Sequence, residues 1–167
     1  MKAKFAVDFF GTLFDAETAL ERFARRYKDL LRPDGNPDLA LLKQEHYEEI
    51  LSYGKLIESA PRNTYIYYTD HPHCPLDLIE RWLRRRNQPR APVVRIERSN
   101  VFQYEKLFNE HKLTAFIDDN PPFILAQRLQ IPVIMPARPW NAFRSIPPNF
   151  TRITTSLRDY EKTITQP

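Results

Sequence analysis

One cysteine, Cys74, stands among 167 residues, so no intramolecular disulfide can form and no cysteine-based zinc site is available. A reducing, cytoplasmic setting is the expectation. No apolar run approaches the length of a membrane span, and Met1-Lys2-Ala3-Lys4 leads directly into a strand pattern with no signal-peptide core. A soluble, intracellular chain with no membrane partner is therefore expected. Charge of one sign is also missing: 25 basic against 21 acidic residues leave +4, a mildly basic surface that attracts anionic ligands weakly. Glycine is scarce at three residues, whereas proline is abundant at fifteen. The prolines cluster at Pro72/Pro75, Pro89/Pro92, Pro121/Pro122, Pro132/Pro136/Pro139 and Pro147/Pro148, where they punctuate the chain between elements. There is no internal repeat, and the length fits one domain with a small insertion.

What is present is an alternation of short apolar runs with amphipathic stretches. Lys4 to Val7 reads as a buried strand that delivers Asp8 to a turn of Phe9, Phe10, Gly11 and Thr12. Leu20, Phe23, Tyr27, Leu30 and Leu31 recur at helical spacing over 16–31, with the charged residues off that stripe. A turn at Pro33-Asp34-Gly35-Asn36 precedes a second helix expected from Pro37 or Asp38 to Ser59, with Asn36 as its cap. Further strands are expected at Thr64–Tyr68, Val93–Ile96, Thr114–Ile117, Pro132–Met135 and from Thr151. Helices are expected at Leu76–Arg86, Val101–His111, Phe123–Leu129 and Leu157–Ile164. Strands alternating with helices predict an α/β fold with a parallel sheet and helices on both faces.

In such sheets ligands bind beyond the carboxyl ends of the strands, where this reading places Asp8, Thr69 and the Asp118/Asp119 pair. Carboxylates gathered at one place repel each other unless protonation or a hard cation relieves them, and Mg²⁺ is the expected relief. Such a site suits a phosphate ester: the cation screens phosphoryl oxygens and an aspartate attacks phosphorus. Thr69 is the candidate hydrogen-bonder to phosphate. Lys106, before the fourth strand, is the candidate cation for the transferring group, in preference to Lys112.

VDFFGTLFD at the first strand, YIYYTDHP at the second, Lys106, and FIDDNP at the fourth together resemble the haloacid dehalogenase superfamily of aspartate-nucleophile hydrolases. The tail IDDNPPFILAQRLQIPVIMPARPWN is most similar to the small 5'-nucleotidase and deoxyribonucleotidase branch. The resemblance implies a Rossmann-like sheet of about five strands in the order 5-4-1-2-3, a core of residues 1–15 and 63–167, and a helical cap at 16–62. It implies that Asp8 is the nucleophile and a Mg²⁺ ligand, and that Phe10 offers the cation its backbone carbonyl. Asp119 becomes the main ligand of the last motif, with Asp118 in support. Gly11, Thr12, Asp70, His71, Arg138 and Trp140 are the candidates for touching a small phosphorylated substrate, nucleotides among them.

Phe10 is the departure, because phosphatases of this superfamily carry there an aspartate that protonates the leaving group and then activates water. General acid–base help is worth on the order of 10²- to 10⁴-fold, so activity is expected to be weakened. His71 and His73 are candidate replacements, set against two solvated loop histidines. Asp15 is set between acid and helix cap. Two alternatives stay open: a catalytically inactive binding or regulatory protein of the same fold, and a 2-haloacid dehalogenase, whose first motif is similar to DFFGTLFD but whose last motif differs. The arginines at Arg81, Arg84, Arg85, Arg86, Arg90, Arg95 and Arg98 read as a solvated face ahead of a nucleic-acid track.

Overall fold

The computed structural model describes residues 3–122, 124–142 and 145–165. Four buried residues, Phe5–Asp8, form β1, the centre of a six-stranded, wholly parallel sheet. Its partners are β2 (Thr64–Thr69), β3 (Val93–Arg95), β4 (Ala115–Ile117), β5 (Val133–Pro136) and β6 (Phe150–Ile153), in the order β3-β2-β1-β4-β5-β6. This is the order expected for the first five strands, extended by β6 beyond β5. Strand side chains alternate between faces, so Phe5 and Val7 join one core cluster while Ala6 joins the other. Both faces need cover, which is why the inner strands β1, β4 and β5 are short, wholly buried runs, whereas the edge strands β3 and β6 carry Arg95, Thr151 and Arg152.

On one face lie α1 (Ala16–Arg26), α2 (Gln44–Tyr53) and α3 (Leu76–Arg85), through Phe23, Tyr47, Ile50, Ile79 and Trp82. On the other lies α4 (Val101–His111), through Tyr104, with Leu125 of α5 (Ile124–Gln127). The final helix, α6 (Leu157–Thr165), returns to the first face by Leu157. The expected helix end at Phe123 lies outside the described residues. Among the described residues no helix is long and apolar enough to cross a membrane.

The cap region is less helical than its pattern suggested. The first helix stops at Arg26, and Lys28–Leu30 is a single 3₁₀ turn. The second begins at Gln44, not near Pro37, because the Asp38 carboxylate accepts the Ala40 N–H and closes a local turn that competes with helix. Pro37 instead bridges Leu31 in a short antiparallel contact. The helix ends at Tyr53 rather than Ser59, since Gly54 lies against the Phe14 ring, where any side chain would collide with it. From there Leu56 pairs with Phe14, and Ile57 donates to the Leu13 carbonyl, which draws the chain back to the core. Trp82, buried, donates its indole N–H to Leu51 O at 3.1 Å, and Arg86 stacks over its ring. The Trp82 ring is thereby spent on contacts inside the protein. Tyr67 and Tyr68 are buried as the strand pattern requires, whereas Tyr65 faces outward.

Candidate active site

The chain runs β1, β2, β3 to one side of the sheet and then crosses to β4 on the other side of β1. That switch leaves a crevice at the carboxyl ends of β1 and β4, the place where parallel sheets bind ligands. Asp8 ends β1, and Asp118 and Asp119 directly follow β4. All three are buried, and oxygens of the three carboxylates lie within 4.8 Å of one another. They form the floor of a cavity of about 390 Å³, completed by Phe10, Gly11, Tyr68, Asp70, His71, Arg98, Tyr104 and Asn120, and rimmed by Ala16, Glu17, Leu39 and Trp140.

The three carboxylates differ in how they are satisfied. Asp118 accepts the Tyr68 hydroxyl at 2.8 Å and the Asn120 N–H at 2.8 Å. Asp119 accepts the Thr12 hydroxyl at 2.9 Å and the Trp140 indole N–H at 2.7 Å, while Asn141 holds its backbone carbonyl. For Asp8 the one side-chain partner among the described residues is Thr12, at 3.3 Å. A threonine hydroxyl has one proton, and the shorter contact is to Asp119. Burial pushes the Asp8 carboxyl well above its ordinary value, and Asp118, Asp119 and Asp70 push it further. Burial, then Asp119, raises Asp118 to about 7, and burial raises Asp119. Oxygen donors gathered and desolvated in this way fit a hard divalent cation.

Several sequence-based expectations are corrected in detail. Lys106 is not brought to the cavity: its side chain is 70% exposed and its ammonium lies 3.9 Å from Glu110. Tyr104, two residues earlier, points to the opposite side of the helix and into the cavity, because two residues turn about 200°. The cation at the site is Arg98, which donates to Asp70 at 3.2 Å and to the Asn120 carbonyl. Burial opposes its charge, but Asp118 and Asp70 outweigh that and raise its pKa. Thr12 is fully buried and acts as a rivet: its oxygen also accepts the Asp119 N–H at 3.0 Å, tying the turn after β1 to the loop after β4. Arg138 is consumed inside the protein, donating to Thr12 O at 2.9 Å, to Gly11 O and to Glu58, with 13% of its side chain exposed.

Thr69 ends β2 and is fully buried, its hydroxyl oxygen accepting the His71 N–H at 3.1 Å; it is not part of the cavity wall. Gly11, Asp70, His71 and Trp140 do line the wall. His71 stacks face to face on Phe10, with centroids 3.8 Å apart, and burial lowers its pKa to about 4, so it is neutral at physiological pH. His73 is exposed and away from the cavity. Asp15 caps α1 by accepting the Thr18 N–H at 3.1 Å. Sequence reasoning passed over Arg98 and Tyr104. Arg98 carries the same signal as Asp8 and Asp118, a polar residue just past the carboxyl end of a strand, but it was hidden in a run of arginines. Tyr104 carries only the helical phase that makes it core.

Neither a protein-family model nor a curated protein matches the chain.

Proposed function

We propose that this chain is a Mg²⁺-dependent phosphohydrolase of the haloacid dehalogenase type, acting on a small phosphomonoester through an aspartyl-phosphate on Asp8. The observation that carries the reading is the cluster of Asp8, Asp118 and Asp119 at the switch point of a parallel sheet, with Asp8 the least satisfied of the three. A nucleophilic carboxylate must be near its target and not fully occupied by donors, whereas metal-positioning carboxylates are held by hydrogen bonds, as Asp118 and Asp119 are.

Asp119, supported by Asp118, the Asp8 carboxylate and the Phe10 carbonyl would hold Mg²⁺, which supplies charge to offset the carboxylates and the phosphoryl oxygens. An oxygen of Asp8 attacks phosphorus. Arg98, oriented by Asp70 and the Asn120 carbonyl, faces the phosphoryl oxygens and takes the role expected of Lys106. Thr12 and Trp140 keep Asp119 in place.

Phosphate release from a panel of aryl and alkyl phosphates and nucleoside monophosphates, with and without Mg²⁺, tests this. Turnover is expected with Mg²⁺ and is expected to vanish in Asp8→Asn; equal rates in the two proteins would sink the reading. The Phe10–His71 stack favours a second reading, a silent binding protein of the same fold, because it puts two rings where a proton donor would serve. That reading predicts Mg²⁺ binding by calorimetry without turnover of any member of the panel. Halide displacement by a dehalogenase is favoured by the first motif with its aromatic Phe10, but it gives the buried Asp118 and Asp119 no cation to hold.

A further inference from the structure

We infer that the substrate is a small aryl phosphate, whose phenolate leaves phosphorus without receiving a proton from the protein; this rests on the phosphohydrolase reading above. The first observation is the wall beside Asp8. Phe10 is stacked on His71 and meets Phe9 at 4.9 Å and Phe14 at 5.3 Å edge to face, so that side of the nucleophile is a closed aromatic block. The second is that four of the polar side chains lining the cavity, Asp70, Arg98, Tyr68 and Trp140, are engaged with one another or with the carboxylates. Asp70 is paired with Arg98, the Tyr68 hydroxyl with Asp118, and the Trp140 N–H with Asp119. Glu17 is exposed at the rim, and the Tyr104 hydroxyl alone among the lining phenols has no hydrogen-bond partner among the described residues.

The third observation is polarity by depth. Three carboxylates sit on the floor, while Ala16, Leu39 and Trp140 make a largely apolar rim in which Glu17 is the one charged residue. The Trp140 ring is held by its bond to Asp119 with 37% of the residue exposed, which presents a fixed aromatic surface. A cavity of about 390 Å³ takes a phosphate on the floor and one ring at the rim.

The chemistry follows. As an Asp8 oxygen forms its bond to phosphorus, the bond from phosphorus to the aryl oxygen breaks, and its electron pair leaves on a phenolate. A phenol has a pKa of about 10, so its anion is a competent leaving group and takes its proton later from bulk water. An alkoxide, close to water at about 15.7, is not. Water then attacks the phosphorus of the acyl-phosphate, the bond from Asp8 to phosphorus breaks, and phosphate departs with the water's proton passing to solvent. With the same wall in place, that second step is slow, and the phosphoenzyme accumulates.

The Mg²⁺-loaded chain should be given substituted phenyl phosphates of graded leaving-group pKa, glycerol phosphate and a nucleoside 5'-monophosphate, with intact mass read alongside kcat/KM. The expected result is a fall of roughly tenfold per pKa unit of the leaving group, which puts alkyl phosphates about 10⁵-fold or more below phenyl phosphate. A phosphate adduct on Asp8 should appear in a burst and be absent in Asp8→Asn. Phe10→Asp should flatten the dependence, and the wild-type slope stands as a test even where that variant does not fold. Equal turnover of alkyl and aryl phosphates overturns the inference and leaves the phosphohydrolase reading intact. A slope that steepens in Tyr104→Phe, Glu17→Gln or His71→Asn reveals a proton donor and overturns it too. A phosphotyrosine peptide turned over about tenfold faster than free phosphotyrosine overturns the small-molecule assignment. No turnover and no adduct with any substrate overturns both readings together.

Discussion

Gly11 shows how closely the turn after β1 is fitted to the loop after β4. Its φ is +81°, and a Cβ there would lie 2.6 Å from Asp119 Oδ1. An alanine would meet two penalties: about 1–2 kcal/mol for the left-handed backbone, and a displaced Asp119 carboxylate. The Thr12 hydroxyl, 2.9 Å from the same oxygen, would lose its geometry as well. Gly11→Ala is therefore expected to lower the melting temperature by a few degrees and weaken Mg²⁺ binding about tenfold or more, read by thermal denaturation and calorimetric titration. Unchanged Mg²⁺ affinity would mean that Asp119 does not hold the ion. Thr12 belongs to the same reasoning. Its place in the first motif suggested contact with substrate, but a fully buried hydroxyl spent on Asp119 is a part of the scaffold.

Helix α4 carries the clearest division of labour between neighbours. Tyr104 reaches the cavity, and Lys106 faces solvent beside Glu110. An exposed i,i+4 pair contributes a few tenths of a kcal/mol at most. Lys106→Ala is thus expected to change kcat/KM less than about twofold and stability by less than about 0.5 kcal/mol. Arg98→Ala removes the charge that faces Asp70 and Asp118, and a loss of about 10²-fold or more in kcat/KM is expected. The opposite pattern in steady-state kinetics would return the role to the lysine. The same helix shows what the one-dimensional pattern reveals. Its limits, Val101–His111, follow from its apolar spacing, and so did the strands, because a buried parallel strand is a short apolar run between turns. The carboxylates were equally visible, since the carboxyl end of a strand is a place in the sequence. Which face of α4 meets the cavity was not, for that depends on how the helix is rotated against the sheet. The limits of α2 were missed for a related reason: the Asp38 turn and the Gly54–Phe14 contact are set by tertiary partners, and the apolar period continued through both.

Taken together, the fold gathers three desolvated carboxylates from two strand ends in its centre, so the stability of the molecule should report on them. Asp8 is held well above its ordinary value, Asp118 is raised to about 7 and Asp119 is raised. A carboxyl with a raised folded-state pKa binds more protons folded than unfolded between the two values. Its contribution to stability is present below the unfolded value near 3.8 and is lost as pH climbs through the folded value. His71, held at about 4 against 6.5, works the other way, adding stability as pH rises across that interval. The two trends partly offset each other in the wild type, which makes a difference between variants the cleaner measurement. In Asp8→Asn the His71 contribution cancels, and a buried carboxyl whose ionisation is opposed by burial and by its neighbours is replaced by a neutral amide of the same shape. In EDTA the variant is expected to melt within about a degree of wild type near pH 4 and a few degrees above it near pH 8, at roughly 2–4 °C per kcal/mol for a chain of this length. Millimolar Mg²⁺ near pH 8 should reverse the order, because the ion stabilises the folded state that binds it and a neutral amide is a poorer ligand than the carboxylate it replaces. Parallel melting curves for the two proteins at every pH, with and without Mg²⁺, would mean that Asp8 is neither repelled by its neighbours nor a ligand.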